Sequence, residues 1–188
     1  LQTARVALIK ERGRLRNRRL ILTDTLLKRH SKARLALLER QLAELDAEIA
    51  RRIAKDERTA RKRDILGSIP GIGPIAAAAI LTFMPEIGTL DRKQAGCLAG
   101  LVPHTRESGQ WKGKAYISSG RKPLRDALYM PALVAMRFNP DLKAKYQQLR
   151  EAGKPAKVAL VALMRKLIET ANALIKANRL WAERPACE

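Results

Sequence analysis

The sequence predicts an all-α protein: a long basic helical arm followed by a compact helical domain. Three observations carry this reading. From Gln2 to about Lys62 there is no proline and a single glycine, Gly13. Within that stretch Leu35, Leu38, Leu42, Leu45 and Ile49 step by three and four, the apolar seam of a heptad. After Pro123 apolar residues again recur with helical period, and "AYI" (Ala115–Ile117) is the only strand-like piece of the chain.

The elements follow in order. Leu15, Leu22 and Leu26 suggest a first helix, His30-Ser31 a break, and Ser31 the N-cap of a second helix. Two such helices form an antiparallel hairpin, or a coiled-coil seam for another subunit. The composition then changes, which divides the chain into an arm, residues 1–62, and a domain, residues 63–188. Asp64 to Pro103 is apolar and short-helical, with a helix starting near Asp91 and stopping near Gly100. "HTRESGQWKGKAYISSGRK" is polar and basic, a long loop or a β-hairpin. Leu124 to Arg137 forms one helix, which Pro131 should kink. "FNPD" caps the next, around Asp141 to Glu151, and "AGKP" separates it from a last helix, Ala156 to about Trp181.

Charge restricts the partners. The formal net charge is +20 over 188 residues. Lys and Arg crowd Arg5–Arg63 and Arg106–Lys157, with a near-neutral stretch between. That pattern points to a polyanion, DNA or RNA. A membrane surface fits less well, because the basic helices lack interfacial Trp and Phe. Cys97 and Cys187 make neither a disulfide framework nor a zinc site, and Cys97, on a small apolar helix, should be buried and inert. No apolar run has the length of a membrane span and the N-terminus does not read as a signal peptide, so a cytoplasmic location is expected. Because the chain opens on Leu1, it is read as a piece of something longer.

The stretch "SIPGIGPIAAAAI" (Ser68–Ile80) is the first candidate site. "IPGIG" has the form of a helix-hairpin-helix turn. Its first glycine takes a backbone angle closed to other residues, and its second lets a ligand approach the backbone. The amides of Gly71, Ile72 and Gly73 then face outward at the start of an alanine-rich helix and clip a DNA phosphate. The bland reading is a glycine turn between two packed helices, with Ala76–Ala79 allowing close approach.

The second candidate is chemical. Asp64, Glu86, Asp91, Glu107, Asp126 and Asp141 show no paired metal-binding spacing, so no complete metal nuclease is present. What remains is hydroxyls in a basic glycine-rich loop: Ser108, Ser118, Ser119 and Tyr116. A serine attacking a phosphodiester needs positive charge around the phosphate and room to present its oxygen in line. Ser108-Gly109 fits, with Arg106, Lys112, Lys114, Arg121, Lys122 and Arg125 around it. On spacing alone a plain turn serine is the better explanation of Ser108. Tyr116 lacks the Arg and His companions of a tyrosine recombinase. Trp111 reads as a cover for a core edge or a base-stacking platform, and Trp181 as core.

"SIPGIGPIAAAAIL" followed by "LAGLVPHTRESGQWKGKAYISSGRKPLRDALY" resembles the C-terminal domain of the IS110/IS116/IS902 transposases, DNA recombinases of insertion sequences related to the Piv invertase. An "IPGIGP" segment, a "GLVP…SG" segment, a basic glycine loop and a helix opening on "LR" occur in order over Ser68–Tyr129. The resemblance implies that Ser108 attacks DNA and forms a 5′-phosphoserine link. It implies four acidic ligands for Mg²⁺ in a separate N-terminal RuvC-like domain, which this chain lacks, so this piece alone should bind nucleic acid without recombining it. It also implies a structured guide RNA, dimers or tetramers on DNA, and a bacterial, nucleoid-associated setting. Ser118 and Ser119 stand where relatives tend to have Lys-Arg-Gly, a departure that leaves them as alternative nucleophiles. Two other readings stay open: a non-enzymatic helix-hairpin-helix DNA-binding module, which needs the "PGIG" clip but not the serine, and a coiled-coil RNA-binding scaffold whose function lies in Arg5–Arg63.

Overall fold

A computed structural model describes residues 1–105, 107–108, 111–113 and 115–182; within it the side chains of Glu107, Trp111 and Lys112 are not described. The all-α expectation holds: eight helices and four two-residue strands are present among these residues. The chain forms two compact units, Leu1–Glu57 and Arg58–Glu188.

The first unit is a pair of helices, α1 (Gln2–Leu20) and α2 (Thr25–Lys55). They run antiparallel within one chain, joined by ion pairs from Arg5 to Asp46 and from Arg16 to Glu39, the latter at 2.8 Å. Leu35, Leu38, Leu42, Ile49 and Ile53 form the buried seam of α2, and Leu45 is half-buried.

The predicted break at His30-Ser31 is wrong. The helix starts earlier, where the Asp24 carboxylate accepts the Leu27 amide at 3.0 Å. Ser31 lies inside α2 on its buried face, four residues before Leu35, so the apolar period runs straight through it. Leu22 accordingly sits in the connection, and Leu26 is an exposed residue of α2. The Ser31 hydroxyl is buried without a hydrogen-bond partner among the described residues. Ser31→Ala should therefore stabilise the first unit by about 1 kcal/mol, read as a higher urea midpoint at unchanged slope.

The second unit contains α3 (Glu57–Gly67), α4 (Pro74–Phe83), α5 (Arg92–Leu98), α6 (Lys122–Phe138), α7 (Pro140–Glu151) and α8 (Ala156–Lys176). Helix α3 runs unbroken through Lys62-Arg63, where the sequence reading divides the chain; the backbone leaves the helix instead at Asp56. Helix α8 packs against α5, α6 and α7, and α4 packs against α6. Leu163, Leu167, Ile168 and Ala171 of α8 meet Leu124, Leu128, Ala132 and Ala135 of α6 in one core with Ala77 and Ile80 of α4. Helix α6 continues through a buried Pro131, and Asn139 caps α7 by accepting the Leu142 amide at 3.2 Å.

The last helix ends at Lys176, short of Trp181. Asn178 takes φ +47°, and the Arg179 amide returns to the Leu174 carbonyl at 3.1 Å, closing the helix as a left-handed cap does. Trp181 packs half-buried against the core, its amide on Ser68 Oγ at 2.8 Å. Cys97 is exposed rather than buried, because α5 turns Ala95, Gly96 and Ala99 inward instead.

The glycine loop forms two small antiparallel pairs, β1 (Pro103–His104) with β4 (Tyr116–Ile117) and β2 (Glu107–Ser108) with β3 (Trp111–Lys112).

One close contact sets the geometry of the unit. Gly71 has φ +105°, and a Cβ there would lie 2.7 Å from both the Ala135 Cβ and the Pro131 carbonyl oxygen on α6. Gly71→Ala should cost about 3 kcal/mol, combining backbone strain with overpacking. Gly73→Ala should cost under about 1 kcal/mol, since nothing lies within 4 Å of its Cβ position. Urea unfolding of the two variants separates them.

Candidate nucleic-acid interface

The "IPGIG" turn joins α3 to α4. Within it the Ile72 amide donates to the Ile69 carbonyl at 3.0 Å and the Ile72 side chain is buried. Ile72 is thus part of the turn's own framework, and Gly71 faces α6. Gly73 is different: it is the exposed N-cap of α4 with an ordinary φ of −84°. Among the described residues no packing or backbone constraint requires a glycine there. Pro74 has no amide hydrogen, and the first bond of the helix runs from the Ala77 amide to the Gly73 carbonyl at 2.9 Å. The amides of Gly73, Ile75 and Ala76 have no partner among the described residues, and Ile75 is 53% exposed.

The loop carries the second group. Ser108 is exposed on β2, opposite Trp111 in register, and its hydroxyl has no partner among the described residues. Arg106, Lys114 and Gly109 lie outside the described residues, as does the side chain of Lys112, whose backbone pairs with Glu107. The three cations at the start of α6 are described. Lys122 pairs with Asp126 at 2.6 Å on the exposed surface. Arg121 reaches Glu86 at 2.5 Å and the Phe83 carbonyl at 2.9 Å. Arg125 donates through one nitrogen, Nη1, to the carbonyls of Ser119 at 2.8 Å and Gly100 at 3.3 Å.

These bonds hold the loop to the helices. Gly100 and Gly120 have φ +65° and +62° and meet backbone to backbone, with a Cβ on Gly120 lying 2.9 Å from the Cys97 carbonyl oxygen. The Arg121 amide completes the junction on the Leu98 carbonyl at 2.8 Å. Hydrogen bonding by Arg121 lowers the carboxyl pKa of Glu86 against the opposing effect of burial. The same bond raises the pKa of Arg121.

One cluster escapes sequence reasoning. His104 stands opposite Tyr116 across β1 and β4, their rings 6.3 Å apart, and His104 Nε2 lies 3.3 Å from Ser119 Oγ. Ser119 holds φ +58° and donates its hydroxyl proton to the Ser118 carbonyl at 2.6 Å. The strand register creates this grouping, and no spacing in the chain announces it. Among the described residues no three His, Cys, Asp or Glu side chains stand together as a metal site.

The turn and the loop are separate sites joined by α6. Its first turn carries Arg121, Lys122 and Arg125, and its later turns, at Pro131 and Ala135, receive the glycine turn. From Arg125 to Pro131 the helix rises about 9 Å.

A helical domain with one open helix start and one basic serine hairpin offers two candidate contacts for a nucleic-acid backbone. Comparison with known proteins narrows this. Residues 63–147 match the profile of the transposase IS116/IS110/IS902 family, and the chain belongs to that family. The pilin gene-inverting protein of Moraxella bovis is 30% identical over 147 residues, covering 76% of this chain and 46% of its own length. An uncharacterized protein of insertion element IS900 from Mycobacterium paratuberculosis is 34% identical over 155 residues, covering 78% of this chain and 38% of its own length. Its counterpart from IS116 of Streptomyces clavuligerus is 29% identical over 153 residues, with 79% and 38% covered. The chain therefore spans less than half the length of these relatives. No helix among the described residues is long and apolar enough to cross a membrane.

The Glu86–Arg121 pair gives a pH signature. Glu86 titrates below an unfolded carboxyl of about 4.3, so its contribution is complete above that value and disappears as pH falls through the lower folded value. The stability difference between wild type and Glu86→Gln should be constant above about pH 5 and shrink toward zero below about pH 4, with a plateau of at most about 1 kcal/mol for so exposed a pair. Urea titrations at stepped pH measure it.

Proposed function

We propose that the chain is the serine-bearing part of an insertion-sequence transposase, and that Ser108 is the nucleophile of DNA strand exchange. The observation that carries the reading is the exposed Ser108 hydroxyl on β2, without a partner among the described residues and inside the segment that matches the family profile. Ser108 Oγ attacks the phosphorus of a DNA phosphodiester as the P–O3′ bond breaks. The serine gives up its proton, the departing 3′ oxygen takes one, and a 5′-phosphoserine remains. Attack on that link by the 3′-hydroxyl of another strand reverses the chemistry and joins new partners, so bond energy is conserved across the exchange. Lys122, Arg106, Lys112, Lys114 and the free donors of Arg121 and Arg125 supply positive charge where the phosphorane forms.

Ser119 is less suited to this role, because its proton is held by the Ser118 carbonyl and its oxygen faces His104. The amides of Gly73, Ile75 and Ala76 grip a backbone phosphate away from the reacting bond, and the glycine at 73, unexplained by packing, leaves room for that approach. The basic helix pair engages a guide RNA or DNA backbone, and acidic residues binding Mg²⁺ come from a RuvC-like domain in an assembly of two or four subunits.

The test uses the full-length transposase with its element's RNA, nicked suicide DNA substrates and Mg²⁺. A covalent protein–DNA adduct should map to the peptide containing Ser108 and fall by more than about 10³-fold in Ser108→Ala. An adduct on Ser118 or Ser119 would overturn the assignment of Ser108. DNA binding without any adduct, in a preparation that recombines, would leave a non-enzymatic binding module.

A further inference from the structure

The closed end of the first unit, where α1 passes into α2, is both apolar and basic. Leu20 and Ile21 are 84% and 80% exposed, and Leu26 and Leu27, in the first turn of α2, are half-exposed. From Arg12 to Arg34 there are nine Lys and Arg residues and one acid, Asp24. The Asp24 carboxylate accepts the Leu27 amide at 3.0 Å. The next acids along the two helices are engaged as well, Glu11 with Arg34 at 3.4 Å and Glu39 with Arg16 at 2.8 Å. The side chains of Arg18, Arg19, Lys28, Arg29 and Lys32 make no ion pair or hydrogen bond among the described residues.

Single exposed leucines need no explanation, but two adjacent pairs at one convex end form a patch. A second copy of the same end would set these five unpaired cations against five more, which opposes association. Four side chains also fall short of the about 800 Å² per partner that a stable protein interface buries. Phosphates alone would match the cations and leave the leucines in water. A nucleic acid offers a polyanion and, wherever its duplex is open or interrupted, an apolar base-pair face. The end of a two-helix hairpin measures about 20 Å by 10 Å, from a helix diameter and an axis spacing of about 10 Å each, which is close to the outline of a duplex end. Beside the patch lies a groove of about 720 Å³, lined by Leu22 and Leu35 and by Arg19, Lys28 and Lys32; Glu39, also in its wall, is the acid already bound to Arg16. That groove gives a strand leaving the duplex a cationic path.

We propose that the tip of the helix pair caps the last base pair of a forked DNA duplex. Leu20 and Ile21 cover the base-pair face, and the five cations meet the phosphates of the two strands. Exchange of DNA strands opens such duplexes, so the proposal rests on the transposase reading, and its test separates the two.

The 188-residue chain is titrated with a forked DNA duplex carrying 2-aminopurine at its last pair, a DNA duplex closed by loops at both ends, and a forked RNA duplex, across about 50 to 200 mM salt. It should bind the DNA fork about 10-fold more tightly than the closed duplex, with a change in 2-aminopurine fluorescence. Leu20→Gln/Ile21→Gln should erase both the preference and the fluorescence change. Its slope of log affinity against log salt should stay at the wild-type value, because no charge is lost. Arg19→Gln/Lys28→Gln should instead lower that slope by about 2. All four side chains are exposed, so the urea midpoint should not fall in either variant. A wild-type chain that binds DNA without preferring the fork, or a Leu20→Gln/Ile21→Gln variant that keeps the preference, would overturn the capping site and leave the nucleic-acid reading intact. An unchanged slope in Arg19→Gln/Lys28→Gln would overturn the part given to the cations. A stronger tip-dependent preference for the RNA fork would overturn the choice of DNA. A dimer in sedimentation that Leu20→Gln/Ile21→Gln abolishes would overturn the proposal in favour of a second copy. A wild-type chain that binds neither nucleic acid would overturn both readings.

Discussion

The close approach of Gly71 to α6 is the constraint on which the second unit depends. A side chain at 71 would strike Ala135 and the Pro131 carbonyl, so the turn seats on α6 only as glycine. The small residues of α4 and α6, Ala77 and Ala132 among them, keep the two helices near each other beyond the turn. That contact aims the start of α4 outward at a fixed place. The same helix, at its other end, anchors the serine hairpin through Arg121 and Arg125. Both candidate contacts with a nucleic-acid backbone are thus mounted on one rigid element.

The arginines at that junction illustrate how a basic protein uses charge twice. Arg125 holds backbone carbonyls, which are neutral, and so stays fully positive while it ties Gly100 to Ser119. Arg121 gives up part of its field to Glu86 but joins α4, the loop and α6. Replacing Arg121 by lysine would keep the charge and lose the fork that reaches Phe83 and Glu86 through two nitrogens. Structural tie and electrostatic surface are therefore the same atoms here, and loss of one cannot be separated from loss of the other by charge alone.

Much of the fold was legible because it rests on period and punctuation. The seam from Leu35 to Ile49, the Asp91 start, the "FNPD" cap and the strand at Tyr116-Ile117 each have a local cause. The misplaced break at Ser31 shows where local cues compete: a serine is a good cap, but its place on a continuing apolar stripe outweighs that preference, and Asp24 caps better. Cys97 failed for a similar reason, since a seven-residue helix rich in small residues does not show which face is buried. Of the site, the glycine turn and the basic loop were visible in the chain. The division of labour within "GIG" was not, because it depends on what α6 presents to Gly71. Nor was the His104–Ser119 approach, which the register of β1 and β4 creates.

Helix α8 bears on how the molecule is made. Asn172, near its C-terminal end, accepts from the Gly88 amide and donates to the Leu90 carbonyl, both at 2.8 Å, and its neighbours Leu167, Ile168 and Ala171 fill the centre of the core. The partners of these groups are translated some eighty residues earlier. During synthesis the segment around Gly88 and Leu90 leaves the ribosome without Asn172, and its amide and carbonyl keep water as their partner until α8 follows. The core that α8 completes therefore closes only after the last helix is made. Its interval of exposure on the ribosome is set by the length of chain between Gly88 and Asn172.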